Sequence, residues 1–560
     1  MNILTKNSTV LTALISFKWT KAIIIAFAFH ALPSIAQERT NIQFTSSEKP
    51  KLVVNLVVGG VRYDQLYRFR ERLSEGGFKR LVSGGTTFTN ARSSFMYTSP
   101  ECGGATLASG ANPSGHGVVG KKWVNYTTNE KIELFKNEKY KGIGCNEDEG
   151  QFSPENLTAS TLADELKNID SNSKVYSIAL EHSEAIIHGG YKADGCYWFD
   201  SRYGHFVTSS YYQSQLPIWV SNFNESDRKW SYLNKLWNVE YDYENYTYQN
   251  ATAILRSKGS TLSFNKIFKP KNKSFKHLLE SPTGNNYLKD FAIEAIRNDS
   301  LGLDNSTDLL TINFSSQREI ARIYGSASTE NEDSYYKLDK DISEIVDYLN
   351  QYVGEDNYLL VLTSTHGVGD VVERSEAANQ GKFNAMQFKV LISGFMNAQF
   401  GTNNWVTEYS NRQLYINRRL AYEKNISIEE IQNKISSIAL QFSGVANAVT
   451  ATTLQTSSFN RGVLSKMQNS FFPRNSGDVM INLLPGWIEI ESEDDIITKS
   501  SWGSPYEYDT HIPLIFFGKN IDNKIIDRDV DLMDVAPTIC DMIGIAHPNA
   551  TEGKSINEIF

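Results

Sequence analysis

Four cysteines are few for 560 residues, and no two of them form a C-x-x-C pair. The long spacings between Cys102, Cys145, Cys196 and Cys540 exclude a thiolate zinc ribbon and a disulfide-dense small scaffold. One or two structural bridges, or buried thiols, remain. A basic surplus is also missing. With 55 Lys and Arg against 64 Asp and Glu, the formal charge is -9, which leaves no footprint for nucleic acid. Internal repeats and low-complexity tracts are absent, and beyond the N-terminal region no apolar run is long enough to span a bilayer.

What is present reads as a large globular chain with an export signal. Lys6, Lys18 and Lys21 precede an apolar run, Ala22 to Ala36, that ends in Ser34-Ile35-Ala36. Positive charge, a short apolar segment and small residues at its end predict a signal peptide over 1–36 and a periplasmic or secreted protein. A polar linker, 37–50, follows. The remainder, 51–560, reads as one domain with two insertions, at about 207–290 and about 396–480.

The strands of that domain read as apolar, β-favouring runs, nearly continuous at Leu52 to Val58, the mark of a strand covered on both faces. Leu52 to Val58, Lys174 to Leu180, Leu309 to Ser315, Tyr358 to Leu362 and Ile512 to Phe517 are the clearest. Helical spacing appears at Tyr63 to Leu73, at Ala159 to Asn168 and at Ile428 to Phe442. It also appears at Leu338, Ile342, Ile345, Val346 and Leu349, and again from Asp531 to Ile543. Strands alternating with helices predict an α/β fold with a doubly wound, mostly parallel sheet. In such sheets chemistry sits just past the carboxyl ends of strands. Gln317 to Arg322, expected as a loop after Leu309–Ser315, should therefore face the site, with Arg318 and Arg322 in it.

Several stretches together resemble the alkaline phosphatase superfamily, and most closely its PafA-type branch. They are KLVVNLVVGGVRYDQLYRF, FMYTSPECGG with HGVVGKKW, KVYSIALEHSEAIIHGG with YWFD, LLTINFSSQREIARIYG, NYLLVLTSTHG and GSPYEYDTHIPLIFFG. They follow in family order from about residue 50 to the end. The resemblance implies a phosphate-ester hydrolase fold with two zinc ions, three carboxylate and three imidazole ligands, and a Thr or Ser nucleophile. By position the nucleophile falls on Thr98. The metal ligands fall on Gly59, Arg318, Arg322, Thr365, His366 and His511. The family's phosphoryl-contacting Asn falls on Lys121, and its Lys-x-Arg pair on Glu181 and Ser183.

Only His366 and His511 keep a ligating side chain. Glycine offers no donor, and a guanidinium stays protonated and carries only N–H donors. Two readings follow. The first is a pseudoenzyme without cofactor, in which Arg318, Arg322 and Lys121 bind an anionic small molecule or the insertions bind an envelope protein. The second is an active phosphomonoester or phosphodiester hydrolase with zinc in a rebuilt site and Thr98 as nucleophile. His366 and His511 are expected to pair with each other or with Asp509, or to bond locally.

Overall fold

The computed structural model describes residues 49–249, 274–369, 381–490 and 499–560, with backbone alone at 254–255 and 263–264. The predicted signal peptide and nearly all of the linker lie outside the described residues.

Ten strands form the main sheet: β1 (Leu52–Val58), β2 (Thr86–Arg92), β3 (Gly142–Ile143), β4 (Val175–Ala179), β5 (Gly195–Asp200), β6 (His205–Ser209), β7 (Asp308–Phe314), β8 (Tyr358–Thr363), β9 (Leu514–Gly518) and β10 (Lys524–Asp531). Their order is β10-β2-β9-β8-β1-β7-β4-β5-β6-β3. The centre, β8-β1-β7-β4-β5, is parallel. β9 runs antiparallel to both β8 and β2. The carboxyl ends of β1, β2, β4, β7 and β8 and the start of β9 therefore share one edge.

The apolar run of β1, interrupted only by Asn55, has a direct structural cause. Leu52, Val54, Leu56 and Val58 enter the core on one sheet face, while Val53 and Val57 enter the core on the other. Full burial of each such side chain is worth about 1.5–3 kcal/mol. The first core is covered by α3 (Pro282–Asn298) and α5 (Thr329–Tyr352). α5 presents the predicted stripe of Leu338, Ile342, Ile345, Val346 and Leu349, all fully buried.

Two expectations need correction, and of the two cysteine alternatives the structure shows the thiols. The segment after β7 is not a loop but a helix, α4 (Ser316–Tyr324), which buries Ile320, Ala321 and Tyr324. The 207–290 stretch is not a detached cap. Its described residues start within β6 and include much of α3, and Phe223 packs edge-on against Phe291 at 5.1 Å inside the main core. The aromatics that disguised its periodicity, Phe223 among them, fill that same core. All four cysteines are free thiols, three of them buried, so none forms a bridge.

The second insertion has a sheet and core of its own. Strands Val406–Ser410, Gln413–Ile416, Val479–Leu483 and Val445–Thr450 are paired in that order. They pack with α6 (Ala385–Phe400) around Phe388, Ile392, Trp405, Ile431 and Ile435. Among the described residues no helix is long and apolar enough to cross a membrane.

Candidate functional site

Three helices begin at the shared strand edge: α1 (Pro100–Ser109) after β2, α2 (His182–Gly189) after β4, and α4 after β7. Helix N-termini carry unsatisfied N–H groups and partial positive charge, and so favour anions. Here each first turn supplies its own: Glu101, Glu184 and Glu319. All three line a single cavity of about 760 Å³, together with Glu181, Arg318, Lys121 and Trp502. The insertion closes the other side through Met386, Lys389, Glu408 and Tyr409.

Arg318 stands at the centre of this edge. It is 4% exposed. Its Nη1 donates to Glu184, and its Nε lies 3.4 Å from Glu319. Its Cζ lies 5.4 Å from the Trp502 ring. A Cβ at Gly59 would sit 3.7 Å from Nη1, so the guanidinium lies against the end of β1. Burial opposes its charge, but Glu184, Glu319 and Glu181 overcome this and hold the guanidinium firmly protonated. Glu319 responds in kind: burial raises its pKa, and Arg318 and Arg322 together bring it below the usual value.

The two arginines do not converge. Arg322 is only partly buried and is not among the cavity-lining residues; its Nε donates to Glu319 at 2.9 Å. Lys121 does line the cavity, from its exposed rim. The expected anion-binding trio is thus two separated cations beside glutamates, plus one lysine.

The retained histidines are spent on backbone. His366 is fully buried, and its Nδ1 donates to the Gly367 carbonyl at 2.6 Å. Its Nε2 has no hydrogen-bond partner among the described residues. Burial, and then Arg318, push its pKa down to about 3, so the ring is neutral. His511 Nε2 donates to the Thr89 carbonyl at 2.7 Å, and its ring stacks on Tyr63 at 4.7 Å. Neither ring bonds the other, and Asp509 turns elsewhere, accepting from Ser504 N at 2.8 Å. The expected pairing of these three does not form. Thr365 is buried beneath α1, where a Cβ at Gly103 would meet its carbonyl oxygen at 2.2 Å.

Thr98 is fully buried and absent from the cavity lining. Its Oγ1 donates to the Ser504 carbonyl at 3.0 Å and accepts from Gly503 N at 3.2 Å. Among the described residues no base touches it; its hydroxyl joins the Thr98 loop to the 503–504 loop. Ser99, which does line the cavity, caps α1 by accepting from Cys102 N at 3.2 Å. Thr106 faces His116 at 3.1 Å instead.

These residues do not fit two zinc ions. The six positions supply a glycine, two cations, a threonine and two histidines, so no carboxylate is left and each imidazole has at most one nitrogen to offer. Among the described residues no three His, Cys, Asp or Glu side chains are grouped so as to hold a metal. Sequence reasoning missed Glu101, Glu184 and Trp502, which occupy no metal or nucleophile position.

Glu181 carries a testable consequence. Burial, reinforced by Glu184 and Glu319, raises its pKa to about 7 against the pull of Arg318 and Lys121. An unfolded glutamate titrates near about 4.3. Glu181 therefore adds stability that is full below that value and is lost as pH rises through about 7. Glu181→Gln should gain on the wild type across this window, by on the order of 1–2 kcal/mol. Paired melting curves from acid to mildly alkaline pH measure it; a difference flat in pH would refute the assignment.

The family described as type I phosphodiesterase / nucleotide pyrophosphatase matches residues 53–502. The chain is 30% identical over 545 residues to alkaline phosphatase PhoV of Synechococcus elongatus, covering 96% of this chain and 98% of the relative. It is 28% identical over 553 residues to alkaline phosphatase PafA of Elizabethkingia meningoseptica, covering 97% and 99%. The crystal structure of wild-type PafA superposes with a TM-score of 0.84 at 28% identity, covering 91% of this chain and 99% of that one.

Proposed function

We propose that this chain, which belongs to the type I phosphodiesterase / nucleotide pyrophosphatase family and to its PafA-type alkaline phosphatase branch, has given up the dinuclear zinc site and acts by binding. The observation that carries this reading is the buried Arg318 guanidinium, anchored on Glu184 and lying against Gly59. Two dications beside a fixed, buried cation would be repelled strongly at low local dielectric. The engagement of Thr98 by Ser504 and Gly503 adds to it, since a hydroxyl without a base or metal is a weak nucleophile.

Elemental analysis of the purified protein, with a p-nitrophenyl phosphate assay, tests the proposal. We expect zinc well below one ion per chain and no turnover above blank, unchanged in Thr98→Ala. Two tightly held zinc ions with turnover lost in Thr98→Ala would return the chain to the phosphatases. One observation favours that second reading: the buried, unpartnered Nε2 of His366 keeps a lone pair available to a metal. On that reading, turnover would vanish with a chelator and in His366→Ala.

The export reading belongs to the same proposal. It places the protein in the periplasm or outside the cell, on the strength of the charged and apolar residues before Gln37. N-terminal sequencing of protein from its native source should begin at Gln37; an intact Met1 would reject it.

A further inference from the structure

The cavity that replaces the metal site is neither empty of charge nor balanced. Its floor holds four carboxylates, Glu101, Glu181, Glu184 and Glu319, against one guanidinium. Arg322, behind Glu319, supplies a second. Glu319 is shared by the two arginines and Glu184 takes Nη1 of Arg318. Three acceptors are then left over. Glu184 is 3% exposed and its Oε2 has no partner among the described residues. The Glu181 carboxylate has neither an ion pair nor a hydrogen bond among them, its backbone carbonyl alone accepting from Ala185 N at 3.2 Å. Glu101 accepts only the Ser183 hydroxyl, at 3.3 Å.

The rim does not supply the missing cations. Lys131 and Lys389 are both drawn to Glu408, and Lys122 to Glu133. Lys121 alone is left to act on Glu181.

Resting on the reading that no catalytic metals sit here, we propose that the cavity is a receptor site for an organic cation. Its ligand is a molecule bearing protonated amines, held by Glu101, Glu181 and Glu184. A metal ion is the poorer occupant, because no three ligating side chains converge among the described residues. An inorganic anion is poorer still, because Glu184 and Glu319 already take Nη1 and Nε of Arg318 and would stand beside the anion as like charges. The size fits as well: about 760 Å³ lies within the range of small-molecule pockets and far exceeds the needs of one ion. Trp502, Tyr97 and Tyr409 on the walls offer ring faces that attract alkylammonium groups.

Isothermal titration of the full chain with spermidine, at physiological ionic strength and mildly alkaline pH, tests this. We expect one site per chain. Binding should weaken about tenfold or more in Glu181→Gln, and likewise in Glu101→Gln, the loss for one charged hydrogen bond. Inorganic phosphate and Ca²⁺ should neither bind nor compete. Absence of binding up to millimolar spermidine overturns the inference. So does binding that both variants leave unchanged, which is diffuse attraction to an acidic protein, and so does competition by phosphate or Ca²⁺. The zinc and p-nitrophenyl phosphate measurements decide the premise separately. An inactive, zinc-free protein that ignores spermidine would overturn this inference and leave the loss of the metal centre standing.

Discussion

Arg318→Leu should lower the unfolding free energy by about 3–5 kcal/mol near neutral pH, the cost of leaving a buried charge without its partner. Among the described residues the arginine is the sole cation in direct contact with Glu184, and it helps to restrain Glu181 and Glu319. Without it, burial dominates and those carboxyls can survive inside only by taking up protons. The loss should therefore shrink as pH falls and protonation becomes easy. Replacing both partners, Arg318→Leu with Glu184→Leu, should recover most of the loss, because two apolar groups need no counter-charge. Urea denaturation of the three proteins at two pH values measures this. A single-variant cost below about 1 kcal/mol, as for exposed pairs, would mean that the guanidinium is in solvent.

The two glycines at the end of β1 should respond oppositely. Gly60 has φ +84°, and a Cβ there would lie 2.8 Å from Cα and 3.0 Å from N of Arg318. Gly60→Ala meets a left-handed backbone penalty of about 1–2 kcal/mol. It also meets an overlap with backbone that only a shift of α4 can relieve. A total of about 3 kcal/mol or more is expected. Gly59 carries neither burden, since the nearest atoms to its Cβ would be the Phe314 oxygen at 3.5 Å and Arg318 Nη1 at 3.7 Å. Gly59→Ala should change stability by about 0.5 kcal/mol or less. Thermal melts of the pair provide the check, and equal losses would show that α4 does not press on this turn. The contrast also bears on the site. Room for a side chain at Gly59 remains, so what has disappeared there is the carboxylate and not the space for it.

Much of this was legible in the sequence because the sheet is covered on both faces. Leu52–Val58, interrupted only by Asn55, and Tyr358–Leu362 are nearly continuous apolar runs, and their strands have nearly those bounds. α4 was hidden because only Ile320, Ala321 and Tyr324 of its nine residues carry the apolar pattern, and its Ser-Ser entry resembles a turn. At the site, residue type excluded chemistry well: arginine and glycine cannot ligate zinc wherever they point. It could not assign partners. Glu184 reaches Arg318 from 134 positions away, on a helix that follows a different strand. Lys121 lines the cavity and Arg322 does not: helical spacing sets Arg322 one turn beyond Arg318 on the same side of α4, where it meets Glu319. Thr98 matched by position, but its hydrogen bonds to Gly503 and Ser504 join loops some 400 residues apart.

The second insertion also shapes the order in which the molecule can assemble. β8 must find β9 across a stretch from Thr363 to Leu514. Pairings between such distant segments are slow to form, because chain entropy is lost before contacts repay it. The insertion's own base shortens the search: Gly381–Asn384 pairs in parallel with Trp487–Ile490 and brings both ends of the excursion together. Early formation of that clasp leaves β9 only a short tether from its groove between β8 and β2. A chain stopped just after residue 490 would hold a finished insertion beside an open strand edge, the kind of surface on which nascent polypeptides aggregate.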